Sequence, residues 1–305
     1  MTTAPPPAES LPAQPLPFRL LLDEAVRQSR RHFRRIYPAV AIPLALVAGL
    51  VPLSQWLFFR TITTAGRSGP SAGVMIRGMV GFWLVMMLYL AAYWLGYLVL
   101  FGSAIDALAQ RPLSMAYQWR RVLRPAVFGT LLLSTVVTVA GFMACILPGI
   151  YLGLLFSLTL PVIVDDGLLG TAAMRRSADL TRYNPQGALD ADPRFKVFVV
   201  LFVGTLLGYV IGTVVQLPMI VVQQVMMLRE TAGGRQTDPG VLMAKLTWLQ
   251  VPSQILAMLT STAVHLYVCF GLALLYVDVK RRREGVDLEA AVARLVRSHL
   301  GTAAP

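Results

Sequence analysis

Charged residues are missing from five long stretches of this 305-residue chain: between Arg35 and Arg60, Arg77 and Asp106, Arg124 and Asp165, Lys196 and Arg229, and Lys245 and Asp278. A helix needs about 20 apolar residues to cross roughly 30 Å of hydrocarbon, so four of these stretches predict one membrane span each. The third, residues 125–164, holds 40 residues and predicts two. Its turn is expected at Pro148-Gly149, because proline and glycine together break helices and build tight turns. The predicted fold class is therefore an all-α polytopic integral membrane protein, with spans at 37–59, 79–104, 126–147, 149–166, 197–218 and 253–277. The fourth span is short and contains Pro161, which predicts little tilt, a locally thinned bilayer or a kink against a neighbour.

The segments that join the spans repeat one pattern. Phe18, Leu22, Ala25, Ser29, Phe33 and Ile36 recur at helical spacing, while Arg27, Arg30, Arg31 and Arg34 occupy another face. That is the signature of an amphipathic helix lying at the membrane surface just before the first span. Ser114, a residue type that caps helix N-termini, opens a second through Trp119, Arg120, Arg121 and Leu123, before the third span. Thr171 to Arg182 gives a third, before the fifth span, with Met174, Ser177 and Thr181 on one side and Arg175, Arg176, Asp179 and Arg182 around it. The chain reads as a basic helix plus a transmembrane hairpin, used three times; the Arg-x-Ser shared by Arg27–Ser29 and Arg175–Ser177 is a slight trace of repetition.

Composition agrees with this pattern. Hydrophobic residues make up 56% of the chain and charged residues only 14%, against about 25% charged in soluble domains. The net charge is +12, with 27 Lys and Arg against 15 Asp and Glu. Such a field attracts anionic headgroups or nucleic acid, and in a membrane chain the headgroups are the simpler partner. Sorted by connecting segment, 21 of the basic residues fall on the side that holds both termini and 6 on the other. The positive-inside rule makes the first side cytoplasmic, which predicts a multi-pass protein of the cytoplasmic membrane with both termini in the cytosol. Met1 to Pro17 has no apolar core and reads as a disordered cytoplasmic tail. The outer loops around Gly66–Gly73 and Gly233–Gly240 are too short for an extracellular domain, and residues 284–305 read as a cytoplasmic helix and tail.

Candidate chemistry is sparse. Asp165 and Asp166 could bind a cation or share a proton, but a metal site needs further ligands and the chain has three histidines. They are expected to end a helix at the water interface. His32 and His299 are expected in solvent. His265 is the one imidazole inside a predicted span, with Thr260, Ser261 and Thr262 close by, and is the candidate transport residue; a neutral histidine bonded between helices is the plainer expectation. Cys145 and Cys269 lie in apolar runs, where neither a disulfide framework nor a metal knuckle has support. Gly204, Gly208 and Gly212 form a GxxxGxxxG track on the fifth span, suited to close helix packing inside the molecule or against a second copy. Gln216, Gln223, Gln224 and Gln254 near the outer helix ends suit either a polar vestibule or ordinary helix-end solvation. No nucleophile elbow, Walker loop, zinc-protease helix or cysteine knuckle is present, so no catalytic residue, metal or cofactor is assigned.

Three stretches, "LPGIYLGLLFSLTLPVIVDDG" from Leu147, "AAMRRSADLTR" from Ala172 and "LLYVDVKRRREGVDLE" from Leu274, resemble the bacterial glycerophosphoryl diester phosphodiesterase membrane domain family and related six-span proteins of unknown function. The resemblance runs from about Phe18 to Glu289. It implies a polytopic integral membrane fold, to which some members attach a catalytic phosphodiesterase barrel; here only a short C-terminal helix is expected after the spans. Asn184 to Pro193 departs from the pattern as an insertion before the fifth span. The expected function is a non-enzymatic scaffold or accessory subunit. Arg27, Arg30, Arg31, Arg34, Arg120, Arg121, Arg175, Arg176 and Arg182 would hold anionic lipid or a membrane or cytosolic protein partner. No nucleic-acid partner is expected, and a homo-oligomer is compatible with the glycine track. The alternative is a permease or lipid-handling transporter with a site near spans four to six, where broken helices can supply carbonyls.

Overall fold

The computed structural model describes residues 17–64, 72–183, 192–232 and 239–301. The N-terminal tail, most of both glycine-rich outer loops and nearly all of the Asn184–Pro193 insertion lie outside the described residues. Within them the fold is helical throughout: α1 (Phe18–Thr64), α2 (Ala72–Leu108), α3 (Met115–Val122), α4 (Pro125–Ala144), α5 (Ile146–Phe156), α6 (Thr159–Asp165), α7 (Gly170–Thr181), α8 (Pro193–Ala232) and α9 (Pro239–Gly301). Six helical stretches are long and apolar enough to cross a membrane: Phe18–Arg60, Ala72–Leu108, Pro125–Ala144, Ile146–Asp165, Pro193–Arg229 and Gln250–Gly285. Their outward side chains are oil-soluble, with Leu46, Leu84, Leu132 and Val214 each 65–67% exposed, more apolar surface than water tolerates.

Helix boundaries follow local chemistry. Pro125, Pro193 and Pro239 open α4, α8 and α9, at positions where a missing N–H costs nothing. Ser114 caps α3, its hydroxyl accepting from the Tyr117 amide at 3.4 Å. Past the end of α2, Gln110 takes a left-handed φ of 55°, and amides 110 and 111 return to the carbonyls of Ala107 and Asp106 at 3.2 and 2.8 Å. This is the double bond of a Schellman ending, with glutamine where glycine is usual. Between α6 and α7, Gly167 and Gly170 supply left-handed φ values of 69° and 61°, which a side chain would strain.

Two expectations are corrected. The turn of the long third stretch lies at Cys145, not at Pro148-Gly149, so the two apolar stretches are Pro125–Ala144 and Ile146–Asp165. Pro148 sits in the first turn of α5, where no intrahelical donor is needed. Gly149 serves packing: a Cβ there would lie 2.8 Å from Phe142 Cα, and one on Gly141 would lie 3.2 Å from Gly149 Cα, so α4 and α5 cross nearly backbone to backbone. The segment Phe18–Ile36 is helical but continuous with the first span in α1, not a separate surface helix. No glycine or other stop separates the two, and Pro38, Pro43 and Pro52 are absorbed within the helix. Residues 284–301 likewise prolong α9.

The expected kink in the fourth span is a full break between α5 and α6 at Ser157-Leu158. Pro161 cannot donate to the Ser157 carbonyl, and the Ser157 hydroxyl turns back onto the Leu154 carbonyl at 2.8 Å.

The chain divides into two compact units. The first joins residues up to Arg27 with Pro125–Val200 and the segment from Phe270 onward. Its core includes Leu21, Ala25, Leu155, Leu158, Val162, Leu180, Val200 and Phe270, and α7 packs on α4, α5 and α6. Gly271 lets α9 approach α8 and α1, since a Cβ there would meet Val200 at 3.0 Å and Ala25 at 3.8 Å. The second unit holds Gln28–Arg124 and Leu201–Cys269. There Gly96 accommodates Leu44, whose Cδ1 lies 2.6 Å from where a Cβ would stand. Arg35 donates to the Leu113 carbonyl at 2.8 Å and Tyr37 to the Leu259 carbonyl at 3.1 Å.

Candidate functional site

The densest chemistry lies in the first unit, where α6 ends against α9. Lys280 donates to Asp165 Oδ2 at 2.7 Å and also pairs with Asp166. The Tyr276 hydroxyl donates to Asp165 at 3.2 Å, and Lys280 lies 5.4 Å from the Tyr276 ring centroid. Arg176 of α7 bridges Asp166 at 3.5 Å and Glu284 at 2.8 Å. Burial pulls the Lys280 pKa down, but the hydrogen bonds to Asp165 and Asp166 outweigh it and the ammonium is held above its ordinary range. Beside this cluster Arg282 pairs with Asp278 at 2.6 Å, and Lys196, itself buried, faces the same carboxylate. Burial pushes Asp278 up, against the pull of Arg282 and Lys196. The cluster neutralises itself and ties α6 and α7 to α9.

Asp165 and Asp166 do end a helix, as expected, but neither faces water alone. Lys280, Tyr276 and Glu284 complete the cluster from more than 100 residues away in sequence. The only signal for them was that Lys280 is the first cation after the last uncharged stretch.

In the second unit, His265 is bonded on both ring nitrogens. Nε2 lies 2.9 Å from the Tyr93 hydroxyl, and Nδ1 lies 3.0 Å from Ser261 Oγ and 2.7 Å from the Ser261 carbonyl. Tyr93 and Tyr97 pack edge-on against the imidazole at 5.6 and 5.1 Å. Such a histidine pins α2 to α9. A second polar contact buries Gln118 of α3 against Asp106 of α2, with Arg111 3.6 Å from the same carboxylate.

The predicted arginines divide. Arg30, Arg31, Arg34, Arg120, Arg175 and Arg182 are exposed, and Arg121 is half-buried. Arg27 is exposed but pairs with Glu24 at 2.6 Å. Arg176 is taken up by the cluster above. His32, half-buried, has its pKa lowered by burial and then by Arg31 and Arg35. The glycine track is partly used inside the unit: Gly204 is covered by Val268, Gly208 has Val264 at 3.7 Å, and Gly212 has nothing within 4 Å. Cys145 is exposed and Cys269 buried. Among the described residues no three His, Cys, Asp or Glu side chains converge as metal ligands would.

Fold and site together define a polytopic helical membrane protein with an internally paired ionic cluster. No protein-family model, curated protein or solved structure matches the chain.

Proposed function

We propose that the chain is a non-enzymatic scaffold of the cytoplasmic membrane, with both termini cytosolic, that holds anionic lipid headgroups on exposed arginines. One observation carries this reading. On the basic side, Glu24, Asp106, Asp165, Asp166, Asp179, Asp192, Asp278 and Glu284 each pair with a cation of the chain itself. Among the described residues of that side these eight anionic side chains are taken up by internal pairs and Asp23 is exposed, while arginines on α1, α3 and α7 stand outward. Each Lys or Arg near an anionic surface contributes about 1 kcal/mol, so a handful suffices for selective retention. The resemblance to the membrane domain of that family supports such a role.

The test replaces Arg30, Arg31, Arg34, Arg175 and Arg182 with Gln. Phosphatidylglycerol co-purifying with the protein from mixed phosphatidylglycerol and phosphatidylcholine vesicles is then counted by native mass spectrometry. The variant should lose most of its phosphatidylglycerol while still inserting and eluting as the parent does. Unchanged retention would remove the lipid-holding role. The transporter reading draws on the break between α5 and α6 and on His265, whose ring nitrogens are both bonded within the protein.

A further inference from the structure

Helix α7 carries Arg175 outward, ends at an exposed Arg182 cap and packs along α4, α5 and α6. It starts beside the foot of α4, where the Gly170 amide donates to Thr130 Oγ1 at 2.7 Å. It ends beside the middle of the next apolar stretch, where Ser177 and Thr181 donate to the Leu155 carbonyl at 2.7 and 3.3 Å. Leu155 is about 15 Å along α5 from Cys145 at the tip, and Asp165 lies as many residues away on the other side, across the break between α5 and α6. If this hairpin crossed the bilayer, Leu155 would lie at the midplane. Arg182, next to Thr181 and exposed, would then face the centre of the hydrocarbon, among the costliest placements for a cation.

A second set of contacts agrees. Asp165, at the end of the stretch remote from the tip, pairs with Lys280 of α9, and Asp278 on the same helix pairs with Arg282. The charged layer thus lies at the α6 end, and Cys145–Ile150 with the matching end of α4 form the opposite one. There Met143, Ile146 and Leu147 are 84%, 68% and 75% exposed. The turn itself leaves little polar backbone open: the Cys145 amide donates to Gly141 at 3.0 Å, the Gly149 amide to Cys145 at 3.2 Å, and Pro148 has no N–H.

We propose that the α4–α5–α6 hairpin enters only the leaflet adjoining α7 and turns back, its tip Met143–Leu147 seated among lipid acyl chains. The chain then crosses the bilayer four times, and both termini stay on one side as before. The occupant around the tip is hydrocarbon, because residues 125–164 contain no charged side chain and Met143–Pro148 no polar group beyond a thiol. The other helix pairs that double back, α1–α2 and α8–α9, carry Arg60, Arg77 and Arg229 near their turns.

The experiment attaches a nitroxide to Cys145 in the full-length Cys269→Ala chain, reconstituted in phosphatidylcholine–phosphatidylglycerol vesicles. Collision with oxygen is compared with collision with a water-soluble nickel chelate. Oxygen collisions several-fold above nickel collisions, at a depth near the bilayer centre, are expected; a label at Arg229→Cys should show the reverse ratio. Nickel access at Cys145, a depth at the far headgroups, or exclusion of both colliders by covering protein would each overturn the proposal. Should Cys269→Ala fold poorly, the native chain serves, since Cys269 is buried and Cys145 alone is exposed.

Discussion

Lys280→Met should lower the thermal midpoint of the detergent-solubilised protein by about 5–10 °C, corresponding to ~2–3 kcal/mol. Lys280 is the shared counter-ion of Asp165 and Asp166, whose side chains are only 15% exposed. Removing it leaves two adjacent carboxylates facing each other in a mostly dry site, with Arg176 reaching only the second. Full burial would cost more, and the residual exposure of Lys280, 22%, sets the expectation below that limit. Converting Asp165 and Asp166 to Asn in the Lys280→Met background should recover about 1–2 kcal/mol, because the penalty comes from stranded charge and not from lost packing. Additive losses would show that the cluster is merely adjacent, not coupled. The pH sign follows from the raised Lys280 pKa. Its contribution is complete below the ordinary 10.5 and fades as pH climbs through the higher folded value.

Gly149→Ala should be nearly as damaging, at about 2–3 kcal/mol, and Gly149→Val should prevent a stable hairpin. The added Cβ meets the Phe142 ring and, 2.8 Å away, Phe142 Cα, which is backbone and cannot swing aside. Gly212→Ala is the matched control. Nothing lies within 4 Å of a Cβ there, and alanine favours helix, so its midpoint should hold or rise slightly. Equal effects at the two glycines, measured by thermal melts in the same detergent, would contradict the close crossing of α4 and α5.

What the sequence revealed and what it hid divide along sequence distance. The uncharged stretches located the apolar helices because each is a contiguous property of the chain. Ser114 was legible as a cap because its partner, the Tyr117 amide, is three residues away. The turn at Cys145 was misplaced because Pro148 and Gly149 resemble turn residues, whereas one fits a first helical turn and the other a helix crossing. That distinction exists only once Phe142 is in place opposite. Likewise Asp165 and Asp166 read as lone helix-end acids, since nothing near them in sequence announces Lys280 or Tyr276. Arg176 and Arg175 look alike in a basic helix, yet one is bound inward to Asp166 and Glu284 while the other is exposed. Which way adjacent arginines point depends on packing against α6 and α9.

The lipid-holding role requires the basic side of these apolar helices to face the cytosol. Single cysteines at Arg175 and at Arg229, in a chain otherwise free of cysteine, are treated in intact cells with a membrane-impermeant maleimide. Arg229→Cys should react at once and Arg175→Cys only after the cells are opened. Prompt labelling at 175 with protection at 229 would invert the molecule and leave its arginines facing away from the anionic cytoplasmic leaflet.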